Sequence, residues 1–161
     1  MNSDIRWPLQ FNVIRRNSES NTYGMVRHHK DGSPKPHQGW DFAAKLGTAC
    51  LAVGSGKVEF SGYHGDFGLM VVHSFVTGSV KYYAAYAHLQ STSLKKGDSV
   101  TKGQEIARTG NSGNASSLPY ADLHLHFEVR TTPMPGLGLA GRVSPIKVFH
   151  VCPLKHAVVS N

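Results

Sequence analysis

Cysteine is scarce: Cys50 and Cys152 are the only two in 161 residues. They are too few for a disulfide scaffold, and no Cys-x-x-Cys spacing points to a thiolate metal site or a redox pair. One bridge between them or two buried thiols would fit equally well. Long apolar runs are also missing, since none approaches the roughly 18 to 20 residues of a helical membrane span. The first 20 residues carry Asp4, Arg6, Arg15, Arg16 and Glu19 around no apolar core, so no secretory signal is read there. Lys and Arg outnumber Asp and Glu by 17 to 10, for a net charge of +7. Yet no run concentrates the basic residues and no aromatics interleave with them, which argues against nucleic acid as a partner. Diffuse positive charge suits an anionic membrane surface or a bacterial cell wall with its acidic polymers, or serves solubility alone. Helical periodicity is hard to find anywhere.

Turn formers, by contrast, are plentiful. Seventeen glycines and eight prolines are scattered without a period through a chain that is 40% hydrophobic and 17% charged. That composition fits one globular domain with a real core. Between the turns lie short apolar segments: "FAAK", "ACLAV", "GKVEFSGYH", "GLMVVHSF", "VKYYAAYAHL", "SVTK", "EIARTG" and "LHLHFEVR". Such spacing predicts a mainly β fold, an antiparallel sheet or sandwich-like barrel. Residues 1–20 read as an irregular lead-in with one apolar stretch, "WPLQFNVI". Residues 21–41 read as loop, 132–141 as a long Pro/Gly loop, and "SPIKVF" as a closing segment or short helix.

The chemistry concentrates in histidine, of which there are ten. In "ADLHLHFEVR", Leu123, Leu125, Phe127 and Val129 take one parity, and Asp122, His124, His126, Glu128 and Arg130 the other. On a strand of period two, both imidazoles share the face opposite the core. They could bind one metal together, divide binding from proton transfer, or simply be exposed polar residues. A second group, "KPHQGWDF", separates His37 from Asp41 by three residues. Pro36 and Gly39 argue against a helix, so a tight turn into a strand would have to bring imidazole and carboxylate together. His88 ends the alternating "YAAYAHL". Two nitrogen donors, one carboxylate and an open position make the composition of a catalytic zinc site. Zinc makes its bound water nucleophilic near neutral pH and polarises a carbonyl, which suits amide hydrolysis.

In this order and spacing, "HQGWDF", "YAHL" and "HLHFEV" resemble the lysostaphin-type (LytM-like) zinc metallopeptidases, which cut the peptides of bacterial peptidoglycan. "YGMVRH", "GTACLAVGSGKVEFSG", "LKKGDSVTKGQEIARTGNSG" and "SPIKVF" add to the likeness, which spans about residues 21–149. It implies one such domain over residues 21–161, with an antiparallel β fold and a groove walled by long loops. It also implies one zinc ion held by His37, Asp41 and His126, with His124 activating the water and His88 helping to hold the oxyanion, or those two roles exchanged. "NASSLPYAD" and "TPMPGLGLAG" are longer than the pattern and should line the groove. The implied substrate is a peptidoglycan peptide, cut in the periplasm or cell wall. Without a signal, delivery by phage lysis or a contact-dependent secretion system is the expectation. The context stays open between the cell's own wall, a phage and an attack on neighbouring bacteria, an antibacterial role going with the last. A monomeric state and an immunity or inhibitor protein as partner are also expected.

Other residues carry bland readings. His28 could border the groove, His29, His64, His150 and His156 read as surface, and His73 as structural. Tyr82 and Tyr86 share the parity of His88 and could edge the groove. Glu128 could support a ligand or pair with Arg130 at the surface, and Asn111 and Asn114 are turn residues. Two rival functions stand: a non-catalytic wall-binding or regulatory module of this fold, and a carrier hairpin around "LKKGDSVTKGQEIA". The first should lack part of the ligand set, and the second lacks its modifiable lysine tip.

Overall fold

Alternating apolar residues build sheet throughout the computed structural model, which describes residues 4–160. In chain order the strands are β1 (Phe11–Asn12), β2 (Gly24–His28), β3 (Pro34–His37), β4 (Trp40–Ala43) and β5 (Ala49–Leu51). Then come β6 (Gly56–Tyr63), β7 (Leu69–Thr77), β8 (Val80–Ser91), β9 (Ser99–Val100) and β10 (Glu105–Thr109). Last are β11 (His124–Arg130), β12 (Arg142–Val143), the short helix α1 (Ile146–Phe149) and β13 (Val158–Val159). The main sheet runs β12-β11-β8-β7-β6-β9, with β4 on β11 and β10 joining β8 to β5. Its pairings are antiparallel. The fold is therefore mainly β and antiparallel, as the turn spacing implied, and the sheet path ends at β12 and β9 without closing into a barrel.

The alternation in β11 places its residues as expected. Leu125, Phe127 and Val129 sit in the main core beside Phe42, Tyr86 and Phe149, each contributing about 1.5–3 kcal/mol by burial. The lead-in joins this core. Ile5, Trp7 and Leu9, spaced by two, are all buried, and Trp7 stacks on Phe149 with centroids 4.4 Å apart. Strand β1 pairs with β13, tying the two ends of the described chain together. Residues 1–3 of the lead-in lie outside the described residues.

Residues 21–41 differ from the loop expected of them. They contain the hairpin β2–β3, which forms its own two-stranded sheet. Pro34 and Pro36 obscured it in the sequence, since proline cannot donate to a ladder, but a two-stranded sheet has edges where proline is tolerated. The turn is built locally: Asp31 Oδ1 accepts from the Ser33 amide at 2.9 Å and its hydroxyl at 2.6 Å, and Gly32 takes φ 87°.

Candidate metal centre and its groove

Three strands deliver three donors to one point. His37 ends β3, Asp41 lies in β4, and His126 in β11 is the register partner of Asp41. Asp41 Oδ1 is 2.8 Å from His126 Nδ1 and 3.2 Å from His37 Nε2. The ligand atoms of the three residues lie within 4.8 Å of one another, and all three residues are buried. Gly39 makes the tight turn feasible: a Cβ there would stand 2.1 Å from the Phe127 carbonyl oxygen. Only a glycine lets the His37–Asp41 segment lie this close against β11.

Each imidazole has one nitrogen assigned by an acceptor. His37 Nδ1 donates to the Thr22 carbonyl at 2.7 Å, which leaves Nε2 as the lone pair facing Asp41. His126 is turned the other way, with Nε2 donating to Glu128 Oε2 at 2.8 Å and Nδ1 facing Asp41. Such outer partners fix tautomer and ring orientation in histidine metal ligands. His37 Nε2, an Asp41 carboxylate oxygen and His126 Nδ1, once freed of its proton, form a donor set suited to a divalent metal such as zinc.

His88 and His124 stand beside this cluster without joining it. His124 Nδ1 donates to the Asp122 carbonyl at 3.0 Å, and its Nε2 lies 3.7 Å from Asp41 Oδ1. His88 Nδ1 donates to the Ser112 carbonyl at 2.9 Å, and its ring meets that of His124 edge-on, centroids 5.1 Å apart. His88 reaches this position through its backbone. Strand β8 pairs with β11 through Tyr83–Ala87 and with β10 from Leu89 to Ser91. At the handover His88 adopts φ 58°, a left-handed conformation uncommon for a side-chain-bearing residue and frequent where strain serves a site. The irregularity breaks the parity, so Tyr82 and Tyr86 do not edge the groove with His88. They are buried in the main core, where Leu89 also lies. The Tyr86 hydroxyl donates to the Leu51 carbonyl at 2.8 Å and accepts from the Val53 amide at 3.0 Å.

Electrostatics separate the four histidines. Burial pushes His37 and His124 below the ordinary histidine value. It drives His88 to about 4, with the neighbouring His126 and His124 adding to the effect. Burial also opposes charge on His126, but hydrogen bonds and charges from Asp41 and Glu128 outweigh it and lift the group to about 9. Asp41 is held well below the usual carboxylate range, because the His126 and His37 hydrogen bonds overcome the opposing effect of burial. Where a metal takes the three donors, it competes with that proton on His126.

Glu128 pairs with Arg130, but in the interior and not at the surface, because both side chains are buried beside His126. One oxygen holds His126, and the other accepts from Arg130 Nε at 2.7 Å and Arg142 Nε at 2.6 Å. All three side chains are buried. The arginines continue to the 132–141 loop, with Arg142 Nη1 donating to the Gly136 and Gly138 carbonyls and Arg130 Nη1 to that of Pro133. His126 and the groove loop thus share one buried carboxylate.

The five histidine and aspartate residues open into a groove of about 830 Å³. Asn114 and Leu118 of the 114–122 loop line it, as do Leu137 and Gly138 of the Pro/Gly loop. His29 and His64 border it, whereas His28 and Asn111 are not among the lining residues. His73 lies in the core against Tyr86, while His150 and His156 are exposed. Cys50 and Cys152 are free thiols. Sequence reasoning missed Arg15 and Arg27. Arg27 Nη2 contacts Asp41 Oδ2 at 3.1 Å, and Arg15 Nη1 lies 3.1 Å from His124 Nδ1. Both donate to Asn21 Oδ1, a buried side chain between them. A lone arginine in a lead-in carries no local signature, and only the "YGMVRH" match could have marked Arg27.

The model of Peptidase family M23 matches residues 35–136. The peptidoglycan DD-endopeptidase ShyC of Vibrio cholerae is 35% identical over 124 residues, covering 77% of this chain and 26% of the relative. The chain thus spans about a quarter of that relative's length. Among solved structures, the catalytic domain of the antimicrobial peptidase lysostaphin from Staphylococcus simulans aligns at TM-score 0.64 and 25% identity. That alignment covers 81% of this chain and 90% of the other. A zinc-containing peptidase from Vibrio cholerae aligns at TM-score 0.59 and 32% identity, covering 78% and 37%.

Proposed function

The chain belongs to peptidase family M23, and on that premise we propose that it is a zinc-dependent endopeptidase hydrolysing peptide bonds in bacterial peptidoglycan. The carrying observation is the convergence of His37, Asp41 and His126 on one point, with two further neutral histidines beside them. The names of the relatives add the substrate class and the metal. His37 Nε2, Asp41 Oδ1 and His126 Nδ1 would hold the zinc, leaving a position for water and substrate. When bound, zinc makes water nucleophilic near neutral pH and polarises the scissile carbonyl.

The remaining work falls to the protein. His124 and His88 both donate Nδ1–H to backbone carbonyls, so both keep Nε2 as a proton acceptor. Their lowered basicity keeps them neutral at pH 7, as general bases must be. We assign the proton transfer to His124, whose Nε2 lies nearest the donor set. The imidazolium then returns its proton to the leaving amine. His88 orients the attacking water as an acceptor, and serves the oxyanion as a donor only once it carries a proton.

The alternative reading is a non-catalytic wall-binding or regulatory module of the same fold. Such a module has no need of a complete donor set with two assigned bases. Zinc analysis and mass spectrometry of digested peptidoglycan separate the two. The enzyme reading expects about one zinc per chain and new peptide termini, whereas the module reading expects intact cross-links.

A further inference from the structure

The groove's cations are arranged against an elementary rule of sheets. Arg27 in β2 and Lys35 in β3 are direct register partners, and like charges opposite one another are destabilising. Both line the groove. Lys35 has the same parity as the ligand His37, so its base stands one strand step, about 6.5–7 Å, along the same face. A third cation, Arg15, enters from the lead-in, and its Nε is buried without a hydrogen-bond partner.

These cations have few anions to answer them. Arg27 is tied to the Ser20 carbonyl, Asn21 and Asp41, and Asp41 is itself in the donor set. Asp31, at the hairpin tip, is engaged by Ser33. Asp66 lines the groove from the separate turn before β7. Lys35 is exposed and makes no ion pair among the described residues. A like-charge pair kept beside a candidate site, against local stability, marks a place for an external anion.

We propose that Lys35, supported by Arg27, seats a free carboxylate of the substrate peptide one strand step from His37, so that the groove takes acidic peptides over their amidated forms. This rests on the peptide-cleaving reading of the groove and names its substrate class. Placement on the strand of a metal ligand favours a carboxylate on the peptide being cut.

The test uses two cross-linked stem peptides, identical except that their side carboxylates are free in one and amidated in the other. Binding is measured by calorimetry on zinc-loaded protein carrying His124→Ala, and cleavage on the zinc-loaded wild type. The free-acid peptide should bind about three- to tenfold more tightly at low salt, between the worth of an exposed ion pair and that of a charge-assisted hydrogen bond. Lys35→Gln should largely remove that preference, and Lys35→Glu should reverse it, with zinc content unchanged in both. Equal binding of the two peptides, binding of neither, or a preference undiminished by Lys35→Gln overturns the proposal. A binding preference without cleavage of either peptide overturns the endopeptidase reading and leaves the carboxylate seat standing.

Discussion

His88 and His124 meet edge-on with ring centroids 5.1 Å apart and planes at 79°, although they come from different strands and only His124 sits on a regular one. The left-handed backbone at His88 and the Ser112 carbonyl that accepts its Nδ1–H aim this ring. Both histidines lie outside the donor set, so replacing either with alanine should leave zinc bound. Each replacement should lower kcat by about 10²–10⁴-fold, the usual worth of general acid–base catalysis. Metal analysis beside steady-state kinetics checks this, and loss of zinc from either variant would contradict the division of labour.

Glu128 gives a different signature. Glu128→Gln retains the volume but removes the charge that offsets Arg130 and Arg142 and orients His126. Zinc affinity should fall about 10–100-fold, and stability by about 3–5 kcal/mol as the two arginines lose their buried anion. Competition with a chromogenic chelator and urea unfolding report the two effects separately. Unchanged zinc affinity would show that Glu128 serves the arginines alone.

Gly39→Ala touches no donor yet should damage the site. Its Cβ would press on the Phe127 carbonyl and on Glu128 Cγ, 2.9 Å away, forcing the 37–41 turn off β11. Overpacking of this kind costs about 1–3 kcal/mol, and zinc occupancy should drop with it. Full occupancy at wild-type stability would contradict the close-approach account.

Stability should also fall in mild acid, through His73. Burial holds this histidine at about 4 when folded, against about 6.5 when unfolded. The folded value is depressed, so below pH 6.5 the unfolded chain takes up a proton that the folded one refuses. The stabilisation is complete above about pH 6.5 and is lost as pH falls towards 4. Two and a half units amount to about 3 kcal/mol. His73→Gln should shrink the difference between unfolding free energies at pH 7 and pH 4.5 by about 2–3 kcal/mol, whatever it does to stability at pH 7, and leave the part that the similarly depressed His88 contributes.

Much of the site could be read from residue order, because strand alternation and short motifs are local. Leu125, Phe127 and Val129 point to the core and His124 and His126 away from it, as period two requires. The misreadings come from what is not local. Parity groups Tyr82 and Tyr86 with His88, and one residue in left-handed conformation undoes it. The β2–β3 hairpin hides behind two prolines and a polar stretch that packs little apolar surface. Ile5, Trp7 and Leu9 alternate in a lead-in that reads as irregular, and that short period was the available clue to their burial. Arg15 and Arg27 act through Asn21, a contact no spacing rule anticipates.

The account is tested most directly by the new amino termini released from purified peptidoglycan, followed by mass spectrometry as zinc is stripped and restored. If His37, Asp41 and His126 hold a catalytic zinc, peptide cleavage should rise in proportion to bound metal up to about one zinc per chain and vanish in the stripped protein. Undiminished cleavage without metal, or intact cross-links at full occupancy, would contradict it.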